Sequence, residues 1–118
     1  MGFPSPARDY IETDLDLNSF LIKHPSATFF LRVNGNKMWK SGIFSGDILI
    51  VDKSITPCEG HIIVAVSEGE FLVRKLMIEN GIVFISTDFR KSRKRMCESD
   101  DFTIWGIVTC VLHDTINN

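Results

Sequence analysis

The chain has 118 residues, a formal net charge of −2, 44% hydrophobic residues and 24% charged ones. A chain of this length buries roughly two-thirds of its unfolded surface, enough for one core without metals or disulfides. The composition excludes intrinsic disorder, and the near-neutral balance gives no whole-molecule attraction to nucleic acid or membrane. Cys58, Cys97 and Cys110 are an odd number with no C-x-x-C pair, which fits reduced thiols better than a disulfide framework. The opening MGFPSPARDY lacks the basic and apolar segments of a secretory signal, and no stretch approaches the ~18 apolar residues of a membrane span. The expected setting is cytoplasmic, with no membrane partner.

In chain order, residues 1–13 carry Pro4 and Pro6 in a short polar context. Each proline fixes φ and disfavours helix at the preceding residue, so this segment reads as an extended arm. A domain over 14–118 follows. Its first element is a short amphipathic helix, with Asp14 or Asp16 as N-cap, Leu17, Phe20 and Leu21 on one face, and Lys23, His24 and Pro25 as the stop. Runs rich in Val, Ile, Phe and Thr then cover 27–33, 47–52, 61–67, 70–78, 82–87 and 102–112, separated by turn residues. The domain is mainly β. The connections SEGE and ENG are short and each holds a glycine, so the strands between 61 and 87 read as a meander of hairpins.

Chemistry is sparse. His24, His61 and His113 have no cysteine or carboxylate at ligand spacing, and there is no G-x-S-x-G, phosphate-binding glycine loop or dinucleotide fingerprint. No cofactor is expected. Arg90, Lys91, Arg93, Lys94 and Arg95 form a basic cluster in an expected loop, either solvated or a weak contact for phosphate or an acidic partner. The stretch VNGNKMWKSGIFSGDILIVD remains, in which Gly35, Gly42 and Gly46 punctuate a connection that Asp47 joins to the apolar run Ile48–Val51.

The stretches GFPSPARDYIETDLDLN, LIKHPSATFFLRVNG and GEFLVRKL, with the spacing M-x(3)-GI-x(2)-GDILIVD, resemble the UmuD branch of the LexA/UmuD serine–lysine peptidase family over nearly the whole chain. The likeness thins around residues 88 to 100. It implies a single LexA/UmuD-type β domain with an N-terminal arm, in which a serine just before the motif methionine is activated by a neutral lysine on a later strand. A lysine serves as base only if burial depresses its pKa. UmuD proteins use this dyad to cut their own arm after DNA damage, stimulated by a recombinase filament on single-stranded DNA. The shortened homodimer then joins the polymerase subunit UmuC in error-prone translesion synthesis.

Carried over by position, the nucleophile falls on Lys37 and the base on Arg74. Lys37 has no hydroxyl or thiol, and an arginine, with a pKa above about 12, is no general base near neutrality. Lys75, next to Arg74, is expected to face away, and Ser41 and Ser45 are not spaced to pair with a base. At about 4 Å and an effective dielectric near 20, Lys37 and Arg74 would repel by on the order of 4 kcal/mol, so they should splay apart or share a carboxylate. The family cuts just before the glycine of a G-F-P-S-P stretch, and this chain reads Met1, Gly2, Phe3, Pro4, Ser5, Pro6.

The resulting expectation is a non-catalytic, processed-like homodimer that serves a UmuC-like DNA polymerase subunit and engages a recombinase filament. The terminal run Phe102–Leu112 is its expected dimer surface. The alternatives are a self-cleaving peptidase with a relocated or trans-supplied dyad, and the dimerisation half of a repressor. No helix-turn-helix is present to support the last.

Overall fold

A computed structural model describes residues 14–89, 92–96 and 101–116. The arm expected over 1–13 lies outside these residues, as do Arg90, Lys91 and Cys97. The described chain forms one seven-stranded sheet in the order β1-β2-β7-β3-β4-β5-β6, every neighbouring pair antiparallel. The strands are β1 (Thr28–Arg32), β2 (Ile48–Asp52), β3 (Ile62–Ser67), β4 (Glu70–Glu79), β5 (Ile82–Ser86), β6 (Lys94–Arg95) and β7 (Phe102–Leu112). All six β-rich runs of the sequence are strands, and β3, β4 and β5 form the expected meander.

Helix α1 (Leu17–Leu21) is capped by Asp16, whose carboxylate accepts from the Asn18 N–H at 3.0 Å and the Ser19 hydroxyl at 3.1 Å. Its apolar face is only partly covered among the described residues, Leu21 being half-buried. Five residues make little more than one turn, the chain is extended again at Ile22, and Leu17 and Phe20 remain 60% and 57% exposed. A 3₁₀ turn at Pro25–Ala27 then leads into β1.

Strand β7 is the keystone of the sheet. Its C-terminal half pairs with β2 along one edge and its N-terminal half with β3 along the other, and Ile107 pairs with both Asp52 and Ile63. Each ladder slips by one residue, leaving Thr109 and Trp105 as the extra residues of two bulges in β7. Between them Gly106 passes so close to β2 that a Cβ there would lie 2.5 Å from Cγ1 of Val51. On the side away from β2, residues 108–112 have no strand partner among the described residues.

Period-two alternation sends side chains to two cores, one on each face. On β3, Val64 joins Met38, Ile43, Leu49 and Val51 on one face, while Ile63 and Ala65 join Leu76, Ile85 and Ile107 on the other. Among the described residues no helix is long and apolar enough to cross a membrane.

Candidate functional site

The connection between β1 and β2 is anchored by Met38 and Ile43, 3% and 1% exposed, which plug into the first core. The 3₁₀ turn Trp39–Ser41 between them ends at Gly42, whose φ of 83° is a left-handed conformation that a side chain would strain. With Met38 driven inward, Lys37 is left exposed on the rim.

Asp88, just beyond β5, fixes this rim. Its N–H donates to the Lys37 carbonyl at 3.1 Å, and its carboxylate accepts from the Ser41 N–H at 3.0 Å and the Ser41 hydroxyl at 2.6 Å. The Ser45 hydroxyl accepts from the Gly35 N–H at 3.3 Å, and Asn36 Oδ1 accepts from the Ser45 N–H at 3.0 Å. Ser41 and Ser45 thus support the loop, with no lysine among these hydrogen-bond partners.

Arg74 lies on β4 opposite Ile63, so it shares a face with Leu72 and Leu76. Lys75 pairs with Ile62 and Ser86, projects to the opposite face and is exposed, as strand alternation requires. The Arg74 guanidinium is half-buried and donates from Nη1 to the Val73 carbonyl at 2.8 Å. Burial pushes its pKa below the ordinary arginine value. Neither Lys37 nor Arg74 forms an ion pair among the described residues, so no shared carboxylate is found there.

The structure does bring the two positions together. Lys37 and Arg74 both line a narrow cavity of about 150 Å³ beside Met38, Phe71 and Val73, and a larger cleft of about 670 Å³ with Leu72, Ile85, Phe102 and Lys94. Thr87, Phe89 and Ser92 complete the cleft. That wall is braced by Ser92, whose hydroxyl accepts from the Thr87 N–H at 2.9 Å and donates to the Phe89 carbonyl at 2.6 Å. Sequence reasoning missed these three residues, because no motif marks them.

The basic cluster divides rather than forming one loop. Arg93 is paired with Glu79 at 2.6 Å and stacked 3.7 Å from the centre of the Phe84 ring. Lys94 and Arg95 are strand β6, paired with Ile85 and Phe84 of β5, because two residues suffice to add a short edge to a long hairpin. Lys94 places its ammonium 5.3 Å from the Phe102 ring centre and faces the cleft. Arg90 and Lys91 lie outside the described residues.

Two histidine–carboxylate pairs bracket β2. His113 Nδ1 meets Asp47 Oδ1 at 2.6 Å and His24 Nδ1 meets Asp52 Oδ2 at 2.6 Å, tying the ends of the sheet's outer half to β7 and to the segment after α1. Burial pushes the Asp52 carboxyl up. The Ser54 hydroxyl, His24 and the Ser54 N–H together outweigh that, so its pKa sits below the ordinary carboxylate value. The depressed group contributes stability above its unfolded pKa of about 3.9, and the contribution is lost as pH falls through the folded value. Asp52→Asn should therefore lower Tm at neutral pH by on the order of 5 °C. In thermal melts across acid pH, the gap to the parent protein should close below about pH 4. The third histidine, His61, accepts from the Cys58 N–H at 2.9 Å.

Comparison with known proteins joins this geometry to a family. The profile of the Peptidase S24-like family matches residues 1–109. The chain is 42% identical to Protein ImpA of Escherichia coli over 97% of its own length and 78% of the relative's, and 40% identical to Protein SamA of Salmonella typhimurium over 97% and 79%. Protein MucA of Escherichia coli is 39% identical over 92% of this chain and 75% of its own. The all-antiparallel sheet, the loop running from Gly35 through Met38 into β2, and the cleft where that loop meets β4 accord with these matches: the chain belongs to the Peptidase S24-like family, among its UmuD-like members.

Proposed function

We propose that this protein is a non-catalytic, UmuD′-like accessory subunit of an error-prone translesion DNA polymerase, acting as a homodimer in the response to DNA damage. Likeness to the UmuD-like proteins supports the coarser role in mutagenesis. The observation that carries the finer reading is that Lys37 and Arg74 meet at one cleft, at the positions that the family resemblance assigns to nucleophile and base. The first has no oxygen or sulfur to attack with, and the second keeps its proton near neutrality even with its pKa lowered by burial. What remains useful is the scaffold, with partners as its purpose. A recombinase filament on single-stranded DNA is the second partner in this reading.

The open side of β7 supports homodimerisation. Residues 108–112 present an edge without a strand partner among the described residues, and Leu112 at its end and Ile116 just beyond it in sequence are 41% and 87% exposed. An unpaired edge beside exposed apolar groups is a pairing surface. Sedimentation at micromolar concentration should give a dimer, and Leu112→Arg should shift it to monomer without unfolding it. The same protein should co-purify with a UmuC-type polymerase subunit. A parent protein that is monomeric and leaves the polymerase unbound would contradict the proposal.

A further inference from the structure

The cleft around Lys37 and Arg74 has a chemistry that its ancestry does not account for. Among the described residues, three cations line it, Lys37, Arg74 and Lys94, and no carboxylate does. Its remaining surface is largely apolar, with Leu72, Ile85 and Phe102 as the floor. The Arg74 guanidinium is half-buried there with one carbonyl partner and no counter-charge among the described residues. A half-buried cation bears part of the desolvation cost of a buried one, and a ligand that brings a counter-charge offsets it.

We propose that this cleft is a docking site for a peptide segment in which an acidic side chain adjoins a large apolar one. The carboxylate is taken by Arg74 and Lys37, and the apolar group seats against Leu72, Ile85 and Phe102. The proposal rests on the non-catalytic reading of the two cations and gives them a task.

The volume of about 670 Å³ lies within the ~300–1,000 Å³ typical of ligand pockets. Arginine suits the acidic group because its planar fork accepts a carboxylate in two parallel hydrogen bonds. The rim that carries Lys37 is pinned by Asp88 and Ser41, so the site is largely preorganised. A nucleic-acid strand fits less well. Backbone phosphates need an outward stripe of cations, whereas here Arg93 is engaged by Glu79, Lys94 lies over Phe102 and Arg74 is recessed on the sheet face.

Fluorescence anisotropy with short labelled peptides centred on Phe-Asp, Leu-Asp, Phe-Glu and Leu-Glu tests this on the intact protein. Matched peptides with Asn or Gln at the acidic position and a labelled oligothymidylate serve as comparisons. At least one acidic peptide should bind, its amide counterpart at least about tenfold more weakly. Arg74→Met and Lys37→Met should each weaken the acidic peptide about tenfold and leave the amide peptide unchanged, whereas Lys53→Met, away from the cleft, should change neither. Circular dichroism on each variant separates lost binding from lost fold. Equal binding of acid and amide, indifference to both cleft substitutions, absence of binding to the folded protein, or preference for oligothymidylate would overturn the proposal. Mass spectrometry of the same mixtures distinguishes the two readings: a cut peptide contradicts the non-catalytic function, whereas intact peptides that fail to bind contradict only the docking site.

Discussion

Replacing Asp47 by alanine should cost the fold about 1–3 kcal/mol, the penalty for stripping a buried acceptor from its donors. The Asp47 side chain is fully buried, accepts from the Phe44 N–H at 2.9 Å and from His113 Nδ1 at 2.6 Å, and closes the connection that carries Lys37 onto the end of β7. Its backbone adds a second clasp, the Asp47 carbonyl accepting from the Val33 N–H at 2.8 Å. Alanine leaves the Phe44 N–H without its carboxylate partner in a part-buried setting and takes the carboxylate from His113. At roughly 4–8 °C of Tm per kcal/mol, calorimetry should see a fall of at least about 4 °C. Asp47→Asn, which keeps an oxygen for the Phe44 N–H, should recover part of it. An alanine variant that melts with the parent would mean that the clasp carries no energy.

A loss of similar size, about 1–3 kcal/mol, is expected from Gly106→Ala, for the opposite reason of too much matter rather than too few bonds. The new methyl would stand 2.5 Å from Cγ1 of Val51, itself 0% exposed and branched at Cβ, so it has no free rotamer to yield into. A glycine flanked by two bulges is what lets β7 change partners from β2 to β3 at Ile107. The clash predicts its own rescue. Val51→Ala removes the opposing methyls, so the double variant should lose less stability than the two single losses summed. Strict additivity in denaturant titrations would show that the close approach is not what fixes glycine at this position.

Local chemistry made much of the fold legible. Alternating β-branched and aromatic residues marked every long strand, short glycine-bearing connections marked the meander, and Asp16 marked the start of α1. Strand β6 escaped because Lys94–Arg95 is two polar residues with no pattern, and only the β4–β5 hairpin beside it makes it a strand. The insertion of the last strand between β2 and β3 was illegible for a different reason: it is a non-local pairing that local propensity does not encode.

The site divides in the same way. The likeness of the GDILIVD and LVRKL segments to family motifs assigns Lys37 and Arg74 to one site, and both line the same cleft. Thr87, Phe89 and Ser92 had no such signal. The pairing of His24 with Asp52 across 28 residues and of His113 with Asp47 across 66 was hidden by the same distance in sequence. Leu17 and Phe20 taught the converse lesson, since apolar spacing named a helix face that stays largely exposed among the described residues.

The central claim is that the cleft at Lys37 and Arg74 no longer cuts. It is tested most directly by joining to Gly2 the N-terminal arm of a self-cleaving UmuD protein, up to its cleavage glycine. The extended protein is then held from neutral to alkaline pH, where any lysine base is neutral, with and without a recombinase filament on single-stranded DNA, and its mass followed over days. An unchanged mass under every condition is the predicted result. A product that begins at Gly2 and accumulates with rising pH would contradict it.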